Sequence, residues 1–174
     1  MRIALFPFVG FLLASSAFPA QGPLMETILP QFDTVRMNLE QTAELMPEAD
    51  YAYRLTPPQR SVAEWMDHNI TMNYGFCGRI STTPPPEAST YRGKTDKAAL
   101  VKTLKESFAF CEQAFKAQTD ETALKPFGQR NAVPVNVMIS LLTLWNEHYG
   151  NLVGYIRTKG MVPPSTARIA APKK

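Results

Sequence analysis

Apolar positions recur every three or four residues along four stretches of the chain, the period that lines side chains up on one face of a helix. The first stretch, residues 23–46, carries Leu24, Ile28, Phe32, Val35, Leu39 and Ala43 as its stripe. Pro30 sits inside it, lacking a backbone donor and crowding the preceding turn, so a kink or a late start is expected. The second stretch opens with Ser61-Val62-Ala63-Glu64, whose spacing lets serine and glutamate satisfy each other's free backbone donors. It runs to about residue 80 with Val62, Trp65, Asn69, Met72, Phe76 and Ile80 inward, and His68 and Cys77 beside that stripe. Thr95 is the expected cap of a third helix reaching about residue 117, on which Leu100, Leu104, Phe108, Cys111 and Phe115 share a face. The fourth covers residues 135–159, with Leu141, Leu142, Trp145, Leu152 and Ile156 at helical spacing and His148 within the pattern. Gly160 stands where a helix end favours glycine, and Pro163 and Pro164 bar continuation.

Between these helices the period disappears. Residues 51–58 form an extended connection, residues 81–93 hold three consecutive prolines with several Ser and Thr, and residues 118–133 are polar with Pro126 and Gly128. Four helices without strand alternation or an internal repeat predict an all-α four-helix bundle spanning residues 21–164, with residues 165–174 as a flexible tail. A short first connection and a long second one predict helices two and three running parallel, an up-down-down-up order. Cys77 lies 16 residues past Ser61 and Cys111 lies 16 past Thr95, so parallel helices would bring the thiols level. A disulfide is the expected state; two buried free thiols are the alternative.

The N-terminus changes the picture of where this bundle works. Met1-Arg2, an apolar run over residues 3–13 and the small residues of 14–20 have the three-part pattern of a signal peptide. The expectation is an exported protein, periplasmic or secreted, whose mature chain begins at Phe18 or Gln21. The run is short for a membrane span, and no cysteine marks a lipid anchor, so no stable membrane anchor is expected. The net charge of +3 is small and scattered, which argues against a nucleic-acid partner.

Candidate chemistry is sparse. There are 2 histidines, His68 about seven residues from the start of helix two and His148 about eleven from the end of helix four. In antiparallel helices their heights differ by roughly 6 Å, so the rings can meet around one ion, although two ligands do not define a zinc site. A hydrogen-bonded, partly buried histidine is the plainer reading of His148. Glu147 points away from His148 around the helix, Asp67 and Asn69 flank His68 on other faces, and Cys77 is roughly 13 Å from His68 along one helix. No glycine-rich phosphate loop or nucleophile elbow is present.

The string N-E-H-Y-G-N-L-V-x-Y-x-R-x-K-G-x-V-P-P-S in the last helix and its exit resembles the DinB-like family in its exported bacterial branch. M-P-E-A-D-Y at 46–51, W-M-D-H-N-I-T-M-N-Y-G-F-C at 65–77 and L-K-E-S-F-A-F-C at 104–111 extend the resemblance over most of the chain. Members of that family are four-helix bundles, many with a three-histidine metal site. The resemblance places the first metal histidine at His68 and the last at His148; the middle position, four residues earlier, is Leu144. It therefore implies a divalent ion, zinc or nickel, bound weakly or not at all, and pairing into a homodimer through a helical face. Two functions follow as expectations. One is a binding or stress-related module for an unidentified small molecule, with a degenerate metal site. The other is a metal-dependent hydrolase or thiol transferase using an ion held by His68 and His148.

Overall fold

The structure, a computed structural model, describes residues 20–128 and 132–170. The expected signal segment, apart from Ala20, lies outside the described residues. Four long helices enclose one core: α1 (Pro23–Leu45), α2 (Val62–Cys77), α4 (Lys97–Lys116) and α6 (Pro134–Thr158). Short helices α3 (Ala88–Tyr91), α5 (Asp120–Leu124) and α7 (Pro164–Ala170) join or follow them, with a 3-10 turn at Glu48–Asp50. Among the described residues the fold is all-helical, with an isolated bridge between Phe127 and Ala132 and no helix long and apolar enough to cross a membrane.

Local chemistry explains most boundaries. Ser61 and Glu64 form the expected capping box, Ser61 N donating to Glu64 Oε2 at 2.8 Å and Glu64 N to Ser61 Oγ at 3.2 Å. Arg54 grips the same glutamate with both terminal nitrogens at 2.6 Å. The cap of α4 is Asp96, one residue past the expected Thr95; its carboxylate accepts from Ala99 N at 2.8 Å. Gly160 adopts φ 73°, and Met161 N and Gly160 N return to Ile156 O and Arg157 O at 3.1 and 2.9 Å, closing α6 as its glycine foretells.

Two expectations are corrected at the ends of the bundle. Helix α1 is unbroken from Pro23, with Pro30 exposed inside it, so the late start does not occur. Its free N-terminal donors are satisfied from 95 and 96 residues away: Leu24 N and Met25 N each donate to the Asp120 carboxylate at 3.0 Å. Residues 165–170, expected to belong to a flexible tail, lie in α7, because a proline that stops one helix is well suited to begin the next. Tyr149 Oη donates to Ser165 Oγ at 2.8 Å, and Arg168 donates to Gln41 Oε1 at 2.7 Å and to Asn38 Oδ1.

The interior is organised around Trp145, fully buried on α6. Its ring meets Phe32 of α1 at 5.6 Å and Phe108 and Phe115 of α4 at 5.3 and 6.1 Å between centroids. Across α2 and α4, Asn73 pairs with Ser107 and Cys77 with Cys111, so the two helices advance in the same direction. The cysteines form a disulfide, with Cα atoms 5.2 Å apart. Across α2 and α6 the order reverses, Trp65 meeting Tyr155, Asn69 meeting His148 and Asn73 meeting Trp145. The buried face of α2 includes Met66, Ile70, Asn73 and Tyr74, while Met72 and Phe76, expected inward, are half-buried.

Gly22 tests the cap on α1. A Cβ there would lie 2.5 Å from Asp120 Cγ, so Gly22→Ala must push the carboxylate off its two donors. Each of Gly22→Ala and Asp120→Ala should cost about 0.5–2 kcal/mol in urea unfolding. The double variant should lose little more than either alone; additive losses would refute the shared cause.

Candidate functional site

His68 and His148 do come together. The antiparallel run of α2 and α6 puts their ring centroids 5.0 Å apart, and the Trp65 ring lies 5.0 Å from His148 and 6.1 Å from His68. His148 is 5% exposed, whereas His68 is half-buried and opens to a cleft of about 400 Å³ lined also by Arg60, Glu64, Asp67, Thr71 and Arg92.

Asn69 decides the form of His148. Its amide nitrogen lies 2.8 Å from the Trp65 carbonyl, which can only accept, so that atom is the donor. The amide oxygen is then left facing His148 Nδ1 at 3.0 Å, which requires the proton on Nδ1. A neutral His148 thus keeps its lone pair on Nε2. Both imidazoles are held below their ordinary range, chiefly because burial disfavours the charged ring. For His148 the His68 ring and Arg60 add to this, bringing it to about 4; for His68 Arg60 lowers it and Asp67 opposes.

One turn further along α2, Asn73 accepts from Trp145 Nε1 at 2.8 Å and donates to Ser107 Oγ at 3.0 Å, and Ser107 donates to Leu104 O at 2.7 Å. Trp65 and Tyr155 close the other side: Trp65 Nε1 lies 3.4 Å from Tyr155 Oη, which donates to Arg60 O at 2.5 Å. The buried amide, hydroxyl and indole groups on the His148 side are therefore committed to holding the helices in place.

Sequence reasoning missed Asn69 as the partner of His148, along with Asn73 and Arg60. A pair of asparagines four apart on the inward face of an amphipathic helix was the available signal, since a buried amide requires partners. Glu147 is exposed, as its position on the helix implies. Leu144 is half-buried one turn before His148. Among the described residues no group of three His, Cys, Asp or Glu side chains could hold a metal ion. The pair therefore does not fit the three protein ligands that a firmly held zinc requires.

Fold and site together define an α-helical protein with paired imidazoles between two antiparallel helices. The DinB superfamily model matches residues 31–156, and the chain belongs to that superfamily. No curated protein matches the chain.

The burial of His148 has a measurable consequence. Its pKa is about 4 in the folded chain against about 6.5 unfolded. The unfolded chain therefore takes up the proton first as pH falls. The stability involved is fully present above about pH 6.5 and is lost progressively as pH drops toward 4. Between pH 7 and 5 the protein should lose on the order of 1–2 kcal/mol more than His148→Gln, compared by urea unfolding at each pH. Equal losses in the two proteins would contradict a buried neutral imidazole.

Proposed function

We propose that this member of the DinB superfamily is an exported up-down-down-up four-helix bundle that binds a small molecule without turnover, its histidine pair being a degenerate metal site. The observation carrying this reading is Leu144, which stands where a third imidazole would share a helical face with His148. A branched apolar side chain there removes a ligand and offers nothing in its place. The parallel sense of α2 and α4 and the reversed sense of α6 support the bundle order, with the connection that includes α3 as the long crossover. The disulfide between Cys77 and Cys111 supports an oxidising compartment, because cytosolic thiol pools keep such pairs reduced.

Two imidazoles hold a divalent ion much less firmly than three, so protein purified without added ion should contain well under one equivalent of metal. Leu144→His should raise zinc or nickel affinity by at least tenfold, measured by metal analysis and titration of both proteins. One tightly held ion in the native protein would overturn the degenerate-site reading and favour the metal-dependent hydrolase or transferase.

A further inference from the structure

The charges beside the histidine pair suit a ligand opposite in sign to a metal ion. Arg60, just before α2, lays its guanidinium 5.1 Å from the centroid of the Trp65 ring, the ring that packs on both histidines. A second guanidinium, Arg92, follows α3 and lies 5.9 Å from the Tyr91 ring centroid. Both arginines line the cleft into which His68 opens.

Of the two carboxylates in that cleft, Glu64 is ion-paired, and Asp67 is held by a backbone donor but keeps its charge. Glu64 is occupied by both Arg54 nitrogens and by the Ser61 backbone donor. Asp67 Oδ1 accepts from Gly93 N at 3.1 Å, which ties the segment carrying Arg92 to α2. Among the described residues neither Arg60 nor Arg92 forms an ion pair. Two exposed guanidinium groups thus line one concavity, each beside an aromatic ring. Guanidinium donors match the paired oxygens of carboxylate and phosphate groups. A divalent cation placed in the same cleft would be repelled by both.

We propose that the cleft between Arg60 and Arg92 binds a small oxyanion, a phosphate or carboxylate group, with His68 and Thr71 available as further hydrogen-bonding groups at its floor. This deepens the binding-module reading by giving the small molecule an anionic group, and it rests on that reading in taking the site as one without a resident ion.

Calorimetric titration of the chelator-treated full mature chain at low ionic strength tests it, with inorganic phosphate in one arm and succinate in the other. Saturable one-to-one binding is expected in at least one arm. A response to phosphate would indicate a phosphorylated ligand, and a response to succinate an organic acid. Arg60→Gln and Arg92→Gln should each weaken that binding at least tenfold, while Lys125→Gln, an exposed change on another connection, should leave it unchanged. Circular dichroism confirms that the exposed arginine variants remain folded. The proposal is overturned by absence of saturable binding in both arms, or by binding indifferent to both arginines. Binding that appears only after zinc is added overturns it as well, and the degenerate-site reading with it. Anion binding through the arginines in chelated protein, alongside a resident ion in native protein, would sink that reading and leave this one standing.

Discussion

Buried amides must find partners, and on α2 that requirement fixes both the fold and the site. Asn73 uses its oxygen on Trp145 of α6 and its nitrogen on Ser107 of α4. One turn earlier, Asn69 uses its nitrogen on its own helix and its oxygen on His148. Sliding α6 along α2 by one turn would leave several buried donors or acceptors unpaired, each costing about 1–3 kcal/mol. The hydrophobic contacts around Trp145 stabilise the helices' association, but they tolerate small shifts better than these directional bonds do. The same bonds place His148 beside His68 and assign its proton to Nδ1. Register and imidazole chemistry therefore have one cause.

Much of this was legible in the chain. The apolar stripes located four long helices to within a few residues, because a helix that packs on one side must repeat its apolar positions every 3.6 residues. Capping residues and Gly160 located ends for equally local reasons. The equal offsets of Cys77 and Cys111 from their helix starts anticipated their pairing, even though the cap of α4 turned out to be Asp96. The two histidines were expected at similar heights, and they meet. What escaped was non-local or too short to show a period. No sequence rule links Asp120 to the start of α1, or Asn69 to His148 across 79 residues. Helices of four and five residues, α3 and α5, are shorter than the window in which periodicity can be recognised. The proline pair was read as an exit, although Pro164 begins the helix that Arg168 ties to α1.

Under the proposed degenerate-site reading, two features set this site apart from a three-histidine metal centre. Leu144 offers no ligand one turn before His148, and Arg60 places a positive charge against the Trp65 ring that packs on both histidines. Burial is the main reason that His148 is depressed, with the His68 ring and Arg60 adding to it, and a guanidinium nearby likewise disfavours a divalent cation. Arg54 pairs with Glu64, while Asp67 accepts one backbone hydrogen bond and keeps its charge, so Arg60 and Arg92 share the cleft with one carboxylate that has no ion pair among the described residues. On the proposed reading the helices position two imidazoles, while the surplus of guanidinium groups beside them favours an anion.

The state of His148 is observed directly by nitrogen-15 NMR of the two imidazoles in chelated protein at neutral pH. The expected result is a neutral His148 protonated on Nδ1 with a bare Nε2, and no shift of that nitrogen when one equivalent of zinc is added at micromolar protein. Protonation on Nε2, or a stoichiometric zinc-induced shift of both histidines, would contradict it.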